Sequence, residues 1–186
     1  MARTPKAKPE DKLIDAALNL AAEKPWARVN MQDIASTARV DLAAAYDAFP
    51  NRTDMVAAII ARHDAAMLAG DDPSLAEESK RDRIFDVVMR RLDVMKPHKA
   101  ALKSMICAPG DMENAFAAAP RLVRSARWML RAAGVPAEGP LGLARAHVML
   151  LVYAATFRAF VKDDSEDLSS TMAVLDKALK RAGSTL

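Results

Sequence analysis

The feature that most constrains this chain is the stretch at residues 33–52, DIASTARVDLAAAYDAFPNR. Ile34, Ala35 and Ala38 fall on one face of a first short helix, at i, i+1 and i+4. Val40, Leu42, Ala45, Tyr46 and Phe49 continue an apolar stripe through a second. Pro50 ends that second helix. Asn51 or Thr53 can cap the next one by accepting a bond from an unpaired amide. This is the layout of a helix-turn-helix.

Composition points the same way. Apolar residues make up 52% of the 186, yet only 5% are aromatic. Ala, Leu, Met and Val dominate and favour helix, while six glycines spread over the chain leave little material for β-turns. The expected fold is all-α, with a core that needs no disulfides. The spacing places a basic arm at residues 1–8, a small three-helix unit at 9–52 and a larger helical domain at 53–186.

A single cysteine, Cys107, forms no internal disulfide and fits a reducing compartment. No apolar run reaches the roughly 18–20 residues of a membrane span. The N-terminus is basic but lacks the apolar core of a signal peptide, so a cytoplasmic location is expected. The net charge of +3 permits nucleic-acid or anionic-membrane partners without requiring either.

In chain order, Arg3, Lys6 and Lys8 belong to the basic arm, which either straps along DNA or is an ordinary solvated terminus. A first helix is expected at 9–24, with Pro25 as its stop and Trp26 and Val29 plugging a small core. Asn30 and Asp41 should cap the helices at 31–38 and 42–49. Further helices are expected at 53–70, at 75–96 and from Pro97 to a break at 108–111. Another at 111–119 should give way at Pro120 to one ending at Gly134. In the 75–96 helix, Ile84, Phe85, Val88, Met89, Leu92 and Met95 are apolar, with Arg81, Arg83, Arg90, Arg91 and Asp93 elsewhere. The helix at 141–161 is apolar on nearly all sides and must be buried by more than one neighbour. The last, at 168–181, shows Leu168, Met172, Leu175 and Leu179 in one stripe. These two helices predict a four-helix homodimer seam, with a membrane-surface role for the last helix as the rival.

Nothing in the chain reads as catalytic. His63, His98 and His147 lack the paired spacing of a metal site, Cys107 has no nearby histidine, and there is no glycine-rich phosphate loop. No cofactor is expected.

Residues 12–60 resemble the DNA-binding domain of TetR-type regulators, through Asp33-Ile34-Ala35, Val40, Tyr46, Phe49-Pro50 and Arg52. The resemblance implies an all-helical homodimer with an N-terminal DNA head and a ligand-binding body. It implies DNA contacts from Arg39, Leu42, Ala43, Ala44 and Tyr46, a phosphate contact from Arg52, and help from the arm. The chain departs from the family where glycine usually forms the turn and Arg39 stands here, a position expected to need positive φ. Its second helix is filled with alanines, whose methyls can touch thymine methyls but bond no base edge. Three carboxylates (Asp33, Asp41, Asp47) against Arg39 leave this region at −2, which weakens attraction to a polyanion.

Residues 81–102 and 165–182 resemble the bacterial relatives of a TetR-fold accessory family in ubiquinone biosynthesis. The most specific part runs from Met89-Arg90-Arg91-Leu92-Asp93 through Pro97-His98-Lys99. That resemblance implies lipid or isoprenoid binding in place of gene control. Both resemblances imply an apolar ligand, and eleven methionines suit an adaptable pocket. Met89, Leu92, Met105, Ile106, Trp128, Met129, Val148 and Leu151 are the expected lining. Burying about 400 Å² of isoprenoid at about 25 cal/mol per Å² contributes on the order of 10 kcal/mol before binding costs.

Overall fold

The computed structural model describes residues 8–70, 77–106 and 112–186, with the side chains at 106, 112–118 and 184 left aside. Arg3 and Lys6 of the expected arm, Cys107 and the break at 108–111 lie outside the described residues. Among those described, all regular structure is helical, as composition predicts. Contacts gather the described residues within Met1–Ile59 and His98–Ala118 into one compact unit, and those within Ile60–Pro97 and Ala119–Leu186 into another.

In the first unit, α1 (Pro9–Glu23) opens on a proline, whose missing N–H would be unpaired there anyway. It buries Leu13, Ile14, Ala16, Ala17, Leu18 and Ala21. Pro25 halts it, and a 3-10 turn over Trp26–Arg28 drops Trp26 into the core at 1% exposure, with Val29 at the end of the turn buried too. The side chain of Asn30 accepts from the Asp33 amide at 2.8 Å and starts α2 (Met31–Ala38). Asp41 accepts from the Ala44 amide at 3.0 Å and starts α3 (Leu42–Ala48). Asn51 Oδ1 caps α4 (Arg52–Ala69) by accepting from the Asp54 amide at 2.9 Å. Asn30 and Asp41 stand as caps where the sequence puts them, and of the two candidates Asn51 and Thr53 it is Asn51 that caps α4. The turn residue Arg39 has φ 54 and ψ 45, the left-handed conformation expected where glycine is usual.

One element of this unit is not anticipated by chain order. The helix α6 (Lys99–Ile106) packs on α1 and on the 3-10 turn. Ser104 Oγ accepts from the Trp26 amide at 3.0 Å and donates to the Lys24 carbonyl at 3.3 Å. A single hydroxyl thus bridges both sides of Pro25, satisfying backbone groups left over where α1 ends.

In the second unit, α5 (Lys80–Met95) begins at Lys80 and not at 75, because Ser79 caps it by accepting from the Asp82 amide at 3.2 Å. The helix α7 (Met112–Ala132) runs through Pro120 as one helix, where two were expected. Proline removes one amide bond but keeps a helical φ, so the flanking turns carry the helix across. Gly134, at φ 68, closes it, as expected. The helix α8 (Gly139–Phe160) packs on α9 (Ser169–Ala182) and on α5. Gly142 has to be glycine, since a Cβ there would overlap the Ala137 backbone.

The helix α8 also corrects the membrane reading: by length and composition alone it could cross a bilayer. Arg145 and Arg158 break its apolar run, yet the helix as a whole is apolar enough. In this fold it buries Ala146, Met149, Val152, Tyr153, Phe157 and Phe160. The charged link after α8 is pinned by one buried carboxylate. Asp163, 6% exposed, accepts from Ser165 N and Oγ at 3.2 and 2.5 Å, and from Thr171 N and Oγ1 at 2.8 and 2.7 Å.

Candidate functional site

The short helix α3 is positioned from its inner side. Ala45 is fully buried and Phe49, just past its end, is 7% exposed. The opposite face is bare: Leu42 is 53% and Tyr46 64% exposed, and Ala43 and Asp47 are exposed beside them. Ala44 is half-buried at the edge. Positions 42 and 46, and 43 and 47, lie one turn apart, so the four side chains share one face. Among the described residues none partners the side chains of Arg39, Tyr46 or Asp47. Asp41 differs from Asp47, because its carboxylate is already engaged with the Ala44 amide. Lys8 is exposed at the foot of α1.

Arg52 is placed otherwise than as a plain phosphate contact. Its Nη1 donates to the Trp26 and Val29 carbonyls at 2.8 and 3.1 Å, and its guanidinium lies 5.5 Å from the centroid of the Trp26 ring. In the chain itself Arg52 ties the start of α4 to the 3-10 turn. Nearby, Lys24 pairs with Asp33 at 2.6 Å, and that hydrogen bond holds the Asp33 carboxyl below its ordinary range. Asp33 is thereby neutralised locally, which leaves Asp47 as the uncompensated carboxylate of the −2 region.

The second unit contains a buried polar cluster that no sequence pattern announces. Arg91, expected among side chains off the apolar face, is 2% exposed. Its Nη1 pairs with Asp64 Oδ1, and its Nε donates to Tyr153 Oη at 3.0 Å. The guanidinium also lies 5.3 Å from the Tyr153 ring centroid. Ser125 Oγ donates to the other Asp64 oxygen at 2.6 Å, and Tyr153 Oη points to Met95 Sδ at 3.3 Å. One residue from each of α4, α5, α7 and α8 thus meets around one ion pair, with Met95 closing the chain.

The expected lining residues separate. Met105 and Ile106 belong to the first unit, and the rest to the second. Leu92 and Met129 are buried at 0% and 1%, and Met89 and Val148 are half-buried. Leu151 at 72% and Trp128 at 41% face outward and line no interior of a single chain. The apolar stripe of the last helix is also occupied: Leu168, Leu175 and Leu179 are buried, so α9 offers no wide apolar face to a membrane. Among the described residues no three His, Cys, Asp or Glu side chains gather to hold a metal ion.

Residues 13–59 match the bacterial regulatory proteins of the tetR family. The N-terminal unit carries a tetR-family domain. Solved structures extend the likeness to the whole chain. The TetR transcriptional regulator from Nitrosomonas europaea ATCC 19718 is 23% identical, with a TM-score of 0.74, over 93% of this chain and 97% of that one. A TetR transcriptional regulator from Rhodococcus sp. RHA1 is 22% identical, with a TM-score of 0.66, over 93% of each chain. The TetR-family repressor FadR from Thermus thermophilus, solved with lauroyl-CoA, is 14% identical at a TM-score of 0.58, over 92% of this chain and 91% of that one. At these identities the likeness establishes the TetR-like fold. No curated protein matches the sequence.

Proposed function

We propose that the protein is a homodimeric transcriptional regulator whose DNA binding is modulated by an apolar small ligand. The observation that carries this reading is the bare outer face of α3, on a helix-turn-helix whose caps and core are complete. Large side chains left uncovered on a well-supported short helix mark a surface that meets something else. Arg39 and Lys8 supply positive charge on the same unit. Two protomers with a few phosphate contacts each bind weakly and with strong salt dependence.

Leu141, Leu143 and Leu151 of α8 and Val174 of α9 are exposed, which supports a seam between two copies of these helices. Met89, Leu92, Met129 and Val148 are the candidates for an apolar effector, and the acyl-CoA bound by the Thermus protein supports that ligand class. The deciding experiment is a salt-titrated DNA-binding assay on the full chain with its own upstream region. The expected result is binding at about 50 mM salt that falls steeply by about 200 mM. A dimer structure should place the two α3 helices about 34–36 Å apart.

A second reading, a TetR-fold lipid- or isoprenoid-binding accessory protein of the ubiquinone-biosynthesis type, is favoured by one observation: Arg52 is engaged inside the head while Asp47 faces outward. It is upheld if mass spectrometry finds an isoprenoid in the purified protein and no duplex is retained even at low salt.

A further inference from the structure

We propose that α3 reads thymine methyl groups and cytosine amines in the major groove, with Leu42 and Ala43 against the methyls and Asp47 accepting from the amine. This rests on the regulator reading and assigns the class of sequence that such a regulator would select.

The outer face of α3 is chemically narrow. Leu42 and Ala43 present only carbon, Asp47 presents only acceptors, and Tyr46 brings a phenol. No amide, guanidinium or ammonium projects from this helix, so the bidentate pairs that select guanine or adenine cannot form from it. The thymine C5 methyl is the apolar marker in the major groove and the natural counterpart of Leu42 and Ala43. A carboxylate needs a donor, and the groove offers only the adenine and cytosine amines. Beside the adenine amine lies the N7 acceptor, which repels a carboxylate. Beside the cytosine amine lies a C–H. Guanine presents O6 and N7 and is rejected outright. Asp47 therefore selects cytosine.

Spacing sets the register. One helical turn rises about 5.4 Å, and base pairs are spaced about 3.4 Å, so residues 43 and 47 reach positions one to two base pairs apart. Asp47 also repels phosphate-dense DNA wherever no cytosine amine meets it, which lowers non-specific binding and raises selectivity.

The test uses the full chain and a pool of duplexes with a randomised core of roughly two helical turns, about 20 base pairs. Selected half-sites should carry thymine one to two base pairs from cytosine. Replacing those thymines with deoxyuridine, which lacks only the methyl, should weaken binding about fourfold per methyl. Asp47→Asn, an exposed change checked for helical content by circular dichroism, should move the preference from cytosine to adenine by tenfold or more. Equal affinity for thymine and deoxyuridine duplexes, or guanine selected at the Asp47 position, overturns the proposal while leaving the regulator reading intact. Retention of no duplex at low salt sinks both together.

Discussion

The guanidinium of Arg52 lies over the indole of Trp26, 5.5 Å from its centroid, and donates to the Trp26 carbonyl oxygen at 2.8 Å. Trp26 is 1% exposed, so this contact joins the first turn of α4 to a fully buried aromatic of the head. Arg52→Ala removes two hydrogen bonds from a charged donor and the ring contact, and should destabilise the protein by about 2–3 kcal/mol. Lysine keeps the charge but lacks the planar fork, so Arg52→Lys should recover less than half of the loss. Thermal unfolding followed by circular dichroism reads both. Wild-type stability in Arg52→Ala, with a weakened salt dependence of DNA binding, would return Arg52 to a phosphate role.

Why some of this was legible in the sequence and some was not follows from the range of each interaction. The caps at Asn30, Asp41 and Asn51 and the left-handed Arg39 are decided within about four residues, and the chain states them locally. Arg91 was legible too, but masked by its charge. Ile84, Val88, Arg91 and Met95 recur at i, i+4, i+7 and i+11, a buried stripe that includes an arginine. Its partner Asp64 is 27 residues away and Ser125 is 61 from Asp64, and no local pattern links them. Ser104 reaches the end of α1 across 80 residues, so the membership of α6 in the first unit lay beyond periodicity. The outward orientation of Leu151 and Trp128 was not legible for another reason. An apolar residue on a helix that is apolar all round gives no clue to which side faces out.

The Asp64–Arg91 pair should behave as a coupled unit. Arg91 is 2% and Asp64 13% exposed at the side chain, so removing either partner strands a poorly solvated charge. Arg91→Met or Asp64→Leu alone should cost about 3–5 kcal/mol, and the two replacements together should cost much less than the sum. Urea denaturation of the four proteins measures this. Additive losses would show that the pair is not coupled.

Asp163 predicts a pH dependence. Hydrogen bonds from Ser165 and then Thr171 hold its carboxyl well below the usual carboxylate range in the folded protein. A group whose pKa is depressed on folding stabilises the protein above its unfolded value of about 3.9, and that stability is lost as pH falls below it. Asp163→Ala should therefore cost about 2–3 kcal/mol near neutrality, and the gap to wild type should narrow below about pH 4. Denaturant midpoints measured across that range check the sign; a gap that widens in acid would refute it.

Arg39 offers a test in which stability and function move apart. It holds φ 54 at the turn between α2 and α3, a conformation that costs a residue with a Cβ about 1–2 kcal/mol. Glycine removes that strain but loses more entropy on folding, so Arg39→Gly should stabilise the head by only about 0.5 kcal/mol. The same change deletes an exposed cation beside α3 that has no partner among the described residues. If Arg39 meets a phosphate in the complex, the variant should bind DNA more weakly on every sequence alike, and the slope of log affinity against log salt should fall by about 0.9 per protomer. A more stable protein with a shallower salt slope is the expected pair of results. An unchanged slope would mean that Arg39 stays in solvent in the complex and that its place in the turn is a matter of folding alone.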